Sequence, residues 1–299
     1  MRNLLLAVFL LVSYSYAQEY KWYKGNIHTH TNRSDGDEYP RKVVNWYKEH
    51  DYNFLVLSDH DILTETKYID SDKGDDFLLI PGEEVSCSFE KRPIHINGIN
   101  IKKLALPQPG KTAGEVVQNN IDAIHEAGGI SMFNHPMWRR SLSAKDVINV
   151  NGCELLEIFN LAETNTFAAG GAPSMEMFWD SFLSNNIVIY GTATDDAHNF
   201  VGEFLSRKSN PGRGWVSVRS TEFTADAITV ALKRGDFYAS SGLVIKNITI
   251  TDKEYKLVVA TNPILNYSTF FIGKDGKILK EDYSSTPSYE FKDDELYVG

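Results

Sequence analysis

The chain has 299 residues and a formal charge of −10, with 23% charged and 42% hydrophobic residues. That balance is ordinary for a globular protein, and the length suits one large domain, or a large one with a small one. A net acidic chain repels polyanions, which argues against general nucleic-acid binding, and two cysteines, Cys87 and Cys153, are too few for a disulfide scaffold.

The first predicted element is "MRNLLLAVFLLVSYSYAQEY". Arg2 supplies a short positive region, and Leu4 to Val12 is an apolar run too short to span a bilayer. Ser15 and Ala17 put small residues where a cleavage site needs them. The pattern predicts a signal peptide over 1–17, and hence a secreted or periplasmic mature chain with no stable membrane anchor.

Short apolar strands with polar tips then alternate with amphipathic helices. The candidate strands are "GNIHTH", "NFLVLSDH", "FLLIPGEE", "IHINGIN", "ISMFNHP", "LLEIFN" and "NIVIYGTATDD". A helix is predicted at "YPRKVVNWYKEHD", with Pro40 near its first turn. In "TAGEVVQNNIDAIHEAGG", Val117, Ile121 and Ile124 share one helical face and Gly128-Gly129 stop it. "SMEMFWDSFLSNN" and "TADAITVALKRGD" follow the same pattern, Thr224 or Asp226 capping the latter. This alternation predicts an α/β fold with a parallel sheet or barrel over 18–242. From about residue 243 the chain turns rich in β-branched and aromatic residues, which predicts a small antiparallel β domain over 243–299. "GKDGK" reads there as a hairpin turn, and a further strand is expected to open near "ELYVG". Asn32, Asn247 and Asn266 stand in glycosylation sequons.

Polar residues gather at the strand tips: His28, His30, Asp59, His60, Glu84, His135, Asn160, Asp196 and His198. In an α/β barrel that end carries the active site. The ligand-type residues are His28, His30, Asp35, His60, Glu84, His95, His135, Asp196 and His198. Imidazole with carboxylate suits Zn²⁺, Mn²⁺ or Fe²⁺. In "IHTHTNRSDGD", His28 and His30 point to one face, because strand side chains alternate with a period of two. A glutamate such as Glu84 can bridge two ions. Ions this close acidify water and hold both attacking and leaving oxygens. His50 and His125 fall inside helices and are read as surface or internally satisfied histidines.

The successive stretches "NIHTHTNRSDGD", "FLVLSDHD", "LLIPGEEVS", "IHINGI", "MFNHP" and "GTATDDAH" resemble, in order, the motifs of the polymerase-and-histidinol-phosphatase (PHP) family, over roughly residues 25–200. The resemblance implies a distorted seven-stranded (β/α) barrel binding two or three divalent ions at the strand C-termini. It implies that His28, His30, Glu84 and Asp196 hold one ion, that Glu84, His95 and His135 hold a second, and that Asp35, His60 and His198 hold a third. Asp35 stands where some members carry histidine. The neighbours Glu83 and Asp195 would swap with Glu84 and Asp196 if the register slipped by one. Asp59 and Asp61 flank His60 and could orient it or carry a proton, and Arg139 and Arg140 follow "NHPMW", where an arginine could clamp an anionic oxygen. The catalytic candidates are Asp61, His60, His198 and Arg139.

"ALKRGDFYASSG" and the β-rich tail resemble exported PHP-type hydrolases, some of which cleave amides or esters. The expectation is an exported metal-dependent hydrolase, a phosphoesterase acting on a small anionic, phosphorylated substrate rather than a nucleic-acid polymer. An amide or ester hydrolase of the same fold is the alternative, and a secreted, non-catalytic binding protein is the alternative of another class.

Overall fold

The computed structural model describes residues 19–69, 77–160, 174–205 and 208–292. The expected signal peptide and the strand near "ELYVG" lie outside them. Nine strands make one sheet: β1 (Lys21–Asn26), β2 (Phe54–Leu57), β3 (Leu78–Phe89), β4 (Arg92–Ile99), β5 (Ile130–Phe133), β6 (Leu155–Phe159), β7 (Tyr190–Ala193), β8 (Trp215–Ser220) and β9 (Phe237–Ser240). Their order is β7-β6-β5-β4-β3-β2-β1-β8-β9. The sheet curls until its flanks nearly meet. Past β1, Thr29 bridges Ala197 past β7, with the His30 N–H donating to the Ala197 carbonyl at 2.9 Å, and Tyr190 of β7 packs on Phe237 of β9.

The wall departs from a purely parallel barrel. β4 runs antiparallel to both β3 and β5, while β8 runs antiparallel to β1 and β9 to β8. The seven expected strands form the wall β1–β7, and β8 and β9 extend it on the β1 side. Because β4 is reversed, His95 reaches the mouth from the first half of its strand rather than from a C-terminal tip.

The helices form where the sequence periodicity places them. α1 (Pro40–Glu49) starts on Pro40 and buries Val43, Val44 and Tyr47. α2 (Ala113–Glu126) is capped by Thr112, whose hydroxyl accepts from the Glu115 N–H. The short α3 (Ala144–Val147) carries a Ser143–Asp146 capping box. Ser174 caps α4 (Met175–Ser184) and Thr224 caps α5 (Ala225–Arg234), which ends on Gly235 at φ 75°. α5 lends Ile228, Ala231 and Leu232 to a fully apolar cluster with Ile27, Phe54, Ile80, Met132 and Leu155. Asn100, just past β4, donates to Asp226 of α5 at 2.8 Å. Since β4 is reversed, this helix closes the end of the barrel opposite the polar tips.

After residue 243 the chain forms two small antiparallel sheets. β10 (Ile245–Ile250), β11 (Glu254–Val259) and β14 (Ser288–Glu290) make one, with β11 in the middle. β12 (Thr269–Gly273) and β13 (Lys277–Asp282) make a hairpin turned at Lys274–Gly276, within "GKDGK". Its tip rests on α4: the Asp275 N–H donates to the Ser184 hydroxyl at 2.9 Å and the Gly276 N–H to Asp180 at 3.0 Å. Among the described residues no helix is long and apolar enough to cross a membrane. Cys87 and Cys153 are free, half-buried thiols.

Candidate metal centre

Six of the eight histidines meet at the polar end of the barrel. His28 and His30 follow β1, and His60 follows β2. Glu84 comes from β3 and His95 from the reversed β4. His135 follows β5, and Asp196 and His198 follow β7. Asp35 comes from the loop after His30. All nine ligand-type residues fall into four overlapping groups whose donor atoms lie within 4.8 Å of one another. The groups are His30/Asp35/His60/His198, His28/His30/Asp196, His28/Glu84/His135 and His60/Glu84/His95. The partition differs in part from the one the resemblance implies. His30 reaches the outer group as well as the inner, and His95 groups with His60 as well as sharing Glu84 Oε1 with His135.

Glu84 stands at the centre. Its Oε1 lies 3.4 Å from His28 Nε2, 3.2 Å from His95 Nδ1 and 3.3 Å from His135 Nε2. Its Oε2 lies 3.2 Å from His30 Nε2 and 3.1 Å from His60 Nδ1. Asp196 Oδ1 is 3.2 Å from both His28 Nε2 and His30 Nε2, which are themselves 3.2 Å apart. Donors about 2.1 Å from a tetrahedral ion sit roughly 3.4 Å from each other, so this spacing fits a shared cation. Asp35 Oδ2 joins the outer group at 3.5 Å from His60 Nε2 and 3.3 Å from His198 Nε2.

Hydrogen bonding on the outward side fixes the rings. Glu157 accepts from His28 Nδ1 at 2.8 Å, and the Asp196 carbonyl accepts from His198 Nδ1 at 2.8 Å. The Ser86 hydroxyl gives its proton to the Glu84 carbonyl, so it accepts from His60 Nδ1 at 2.6 Å. Each bond leaves an Nε2 lone pair aimed inward, the state a metal requires. Glu84 Oε2 and His95 Nδ1 are buried without a hydrogen-bond partner. Orphaned acceptors of this kind are rare in native proteins and suit cation ligation.

The electrostatics point the same way. Burial opposes protonation of His28, yet the Asp196, Glu157 and Glu84 carboxylates push it well above the usual imidazole value. His30 behaves alike, and His135 is driven up to about 9 against its burial, chiefly by its bond to Glu84. Burial likewise opposes ionisation of Glu84 and Asp196, but the surrounding imidazoles hold both well below the ordinary carboxylate range. The pocket thus demands positive charge, which protons or divalent ions can supply.

The neighbouring acids face elsewhere. Burial raises Asp195, which accepts from Tyr47 and from the Gly212, Arg213 and Gly214 N–H groups; Glu83 accepts from the Ala105 N–H at 2.6 Å and is pushed up to about 7 by burial. Asp59 accepts from the Thr31 N–H and hydroxyl and from Ser34, anchoring the loop that carries Asp35. In that loop a Cβ at Gly36 would meet the His30 backbone at 2.8 Å. Asp61 accepts from the Ser86 N–H at 2.8 Å, beside His60. Arg139 is exposed, with its guanidinium 4.3 Å over the ring of Trp138, which packs on His95 and His135. The Arg140 side chain lies outside the described residues. Asn160 donates to Glu157 and to Asp196. His50 stacks on Trp46 and His125 pairs with Glu154, both away from the cluster.

Sequence reasoning missed Glu157, Asn134 and Asn97. Asn134 donates to Glu84 at 2.8 Å and to Asn97 at 2.7 Å, and Asn97 donates to the Ile27 carbonyl. The one available signal was a lone acid inside the apolar run "LLEIF"; a buried charge there needs a partner.

No protein-family model matches the chain. The 5'-3' exoribonuclease of Haemophilus influenzae is 35% identical over 83 residues, which cover 27% of this chain and 30% of that protein. The 5'-3' exoribonuclease Rnm of Escherichia coli is 35% identical over 79 residues, covering 25% of this chain and 27% of that protein. The matches thus span less than a third of those relatives' own length. A two-domain protein from Bacteroides vulgatus, containing a predicted PHP-like metal-dependent phosphoesterase, superposes with a TM-score of 0.51 at 17% identity, covering 91% of this chain and 86% of that one. This chain therefore has a PHP-like fold.

Proposed function

We propose, from this fold and from the nine converging donors, that the protein is an exported metal-dependent hydrolase of the PHP type acting on small phosphate esters. The observation that carries the reading is the set of five imidazoles around the buried carboxylate of Glu84, one oxygen of which has no hydrogen-bond partner. In this reading His28, His30, Glu84 and Asp196 hold one divalent ion, His95 and His135 with Glu84 a second, and Asp35, His60 and His198 a third, of zinc, manganese or iron.

Bound ions supply Lewis acidity: they acidify water and neutralise charge building on phosphoryl oxygens. The chain's own residues do the rest. Glu84 and the imidazoles fix where a phosphoryl group can sit. His60 and His198 stand at the outer edge, and an acid beside them, Asp61 next to His60, gives the proton to the leaving oxygen. Arg139 meets an anionic substrate oxygen from the rim.

The test is to purify the protein, measure its metal content and assay aryl phosphomonoesters and phosphodiesters against aryl esters and anilides, with Mn²⁺ or Zn²⁺ added. Metal-dependent phosphate release, abolished by His28→Ala and Glu84→Ala, is the expected result. Turnover confined to esters or anilides moves the reading to acyl chemistry. Unchanged phosphate hydrolysis by metal-free protein defeats it. No turnover on any substrate by metal-loaded protein favours a binding protein.

A further inference from the structure

Glu157 of β6 is fully buried, and three of the four groups that donate to its carboxylate lead to the candidate metal centre. Oε1 accepts from His28 Nδ1 at 2.8 Å and from the Thr194 hydroxyl. Oε2 accepts from the His135 N–H at 2.8 Å and from Asn160 Nδ2 at 3.0 Å. Asn160 Nδ2 also donates to Asp196 Oδ2, at 3.1 Å. One carboxylate therefore touches His28 directly, His135 through its backbone and Asp196 through an amide. Those three donors follow three different strands, β1, β5 and β7.

We infer that Glu157 is the positioning residue of the inner cation site: it fixes His28 as the Nδ1–H tautomer and sets the spacing of His28, His135 and Asp196 toward one another. The inference rests on the metal-hydrolase reading but not on the bond cleaved. An ionised carboxylate only accepts, so His28 must donate from Nδ1 and keep Nε2 free for a cation. A glutamine cannot do the same. Its amide carries one acceptor and two donors, while the site offers only donors, from His28, Thr194, His135 and Asn160. Either His28 or the His135 N–H would then face an N–H group.

The test compares Glu157→Gln with Glu154→Gln in the full-length protein. Glu154 is half-buried and precedes the same strand, but its partners are His125, Ser131 and Lys233, none in the cluster. Zinc affinity is read by chelator competition and bound zinc by elemental analysis. The proton spectrum of the zinc-loaded protein is read for the downfield Nδ1–H of His28. The expected result is that Glu157→Gln weakens zinc binding by about 10- to 100-fold and shifts or removes that resonance, while Glu154→Gln changes neither, whatever it does to the melting temperature. Equal zinc affinity and an unmoved resonance in Glu157→Gln would overturn the inference, as would equal losses in both variants. Wild-type protein that binds no zinc would overturn both the inference and the metal-hydrolase reading. Wild-type protein that binds zinc but cleaves no phosphate ester would overturn only that activity.

Discussion

Asp195 and Asp196 are adjacent yet belong to different machinery. Asp196 Oδ1 meets two imidazoles, whereas Asp195 ties Tyr47 to three backbone N–H groups of the 212–214 loop. Asp196→Asn is expected to lose bound zinc, read by elemental analysis, and to lower the metal-free melting temperature near pH 6 because the His28 and His30 imidazoles lose their counter-charge. Asp195→Asn is expected to keep zinc but to cost about 1–3 kcal/mol in denaturant unfolding. A second expectation concerns pH. His135 sits at about 9 against an ordinary 6.5, so in metal-free protein its contribution to stability is complete below 6.5 and is lost as pH rises through 9. Glu84 and Asp196, held below their ordinary 4.5 and 3.8, contribute above those values and lose that contribution on acidification. Metal-free protein is therefore expected to be most stable from about pH 5 to 6.5 and to melt progressively earlier toward pH 9. Zinc affinity should rise over that alkaline interval, because ions no longer compete with protons; thermal melts with and without chelator check both signs. At this scale the donors were legible because ordered motifs flank them. Glu157 was not, since one acid in an apolar strand has no period or spacing that says what it will face.

The β3–β4 hairpin was illegible for a related reason. Its turn places Glu90 at φ 50° and Lys91 at φ 68°, where Asn or Gly is usual. Nothing in "FEKRP" signals that reversal, so "FLLIPGEE" and "IHINGIN" read as two independent strands and the reversed course of β4 was missed. Yet the hairpin pairs Ser86 with His95 and so sets the height of His95 beside Glu84. Lys91→Gly removes left-handed strain at some entropic cost, and is expected to raise stability by about 0.5–1 kcal/mol without altering metal content. The opposite holds at the end of α5. Gly235 has φ 75°, and a Cβ there would lie 2.3 Å from the Tyr190 ring on β7. Gly235→Ala is expected to cost more than about 2 kcal/mol, read by chemical denaturation, because it combines strain with a clash where the barrel flanks meet. The helices themselves were plain in the sequence, since Thr112, Ser174 and Thr224 cap them and Gly235 ends one.

At the scale of the whole molecule, the three apolar clusters of the barrel and its helices draw, among the described residues, on none beyond Phe237. The β-rich tail buries its own small set, Ile248, Val259, Phe271 and Tyr289. It also meets the barrel through the hairpin tip on α4 and through Arg219, which donates to the Ile248 carbonyl. A chain ending at residue 242 is expected to fold and to bind the same number of ions, as elemental analysis would read. The fold class was legible because alternation fixes layers; the antiparallel additions β8 and β9 were not, because pairing partners far apart in sequence leave no local trace. One further consequence follows from how the donors are layered. The side chains of His28, His30 and Glu84 are 0–1% accessible, while those of Asp35, His60 and His198 are 52%, 25% and 24% accessible. In the metal-hydrolase reading the outer residues form a vestibule, and an innermost cation would have to trade places with solvent past them. Isotope exchange of fully loaded protein should therefore run in two phases, a fast one for the vestibule and a slow one that waits on breathing of the barrel itself.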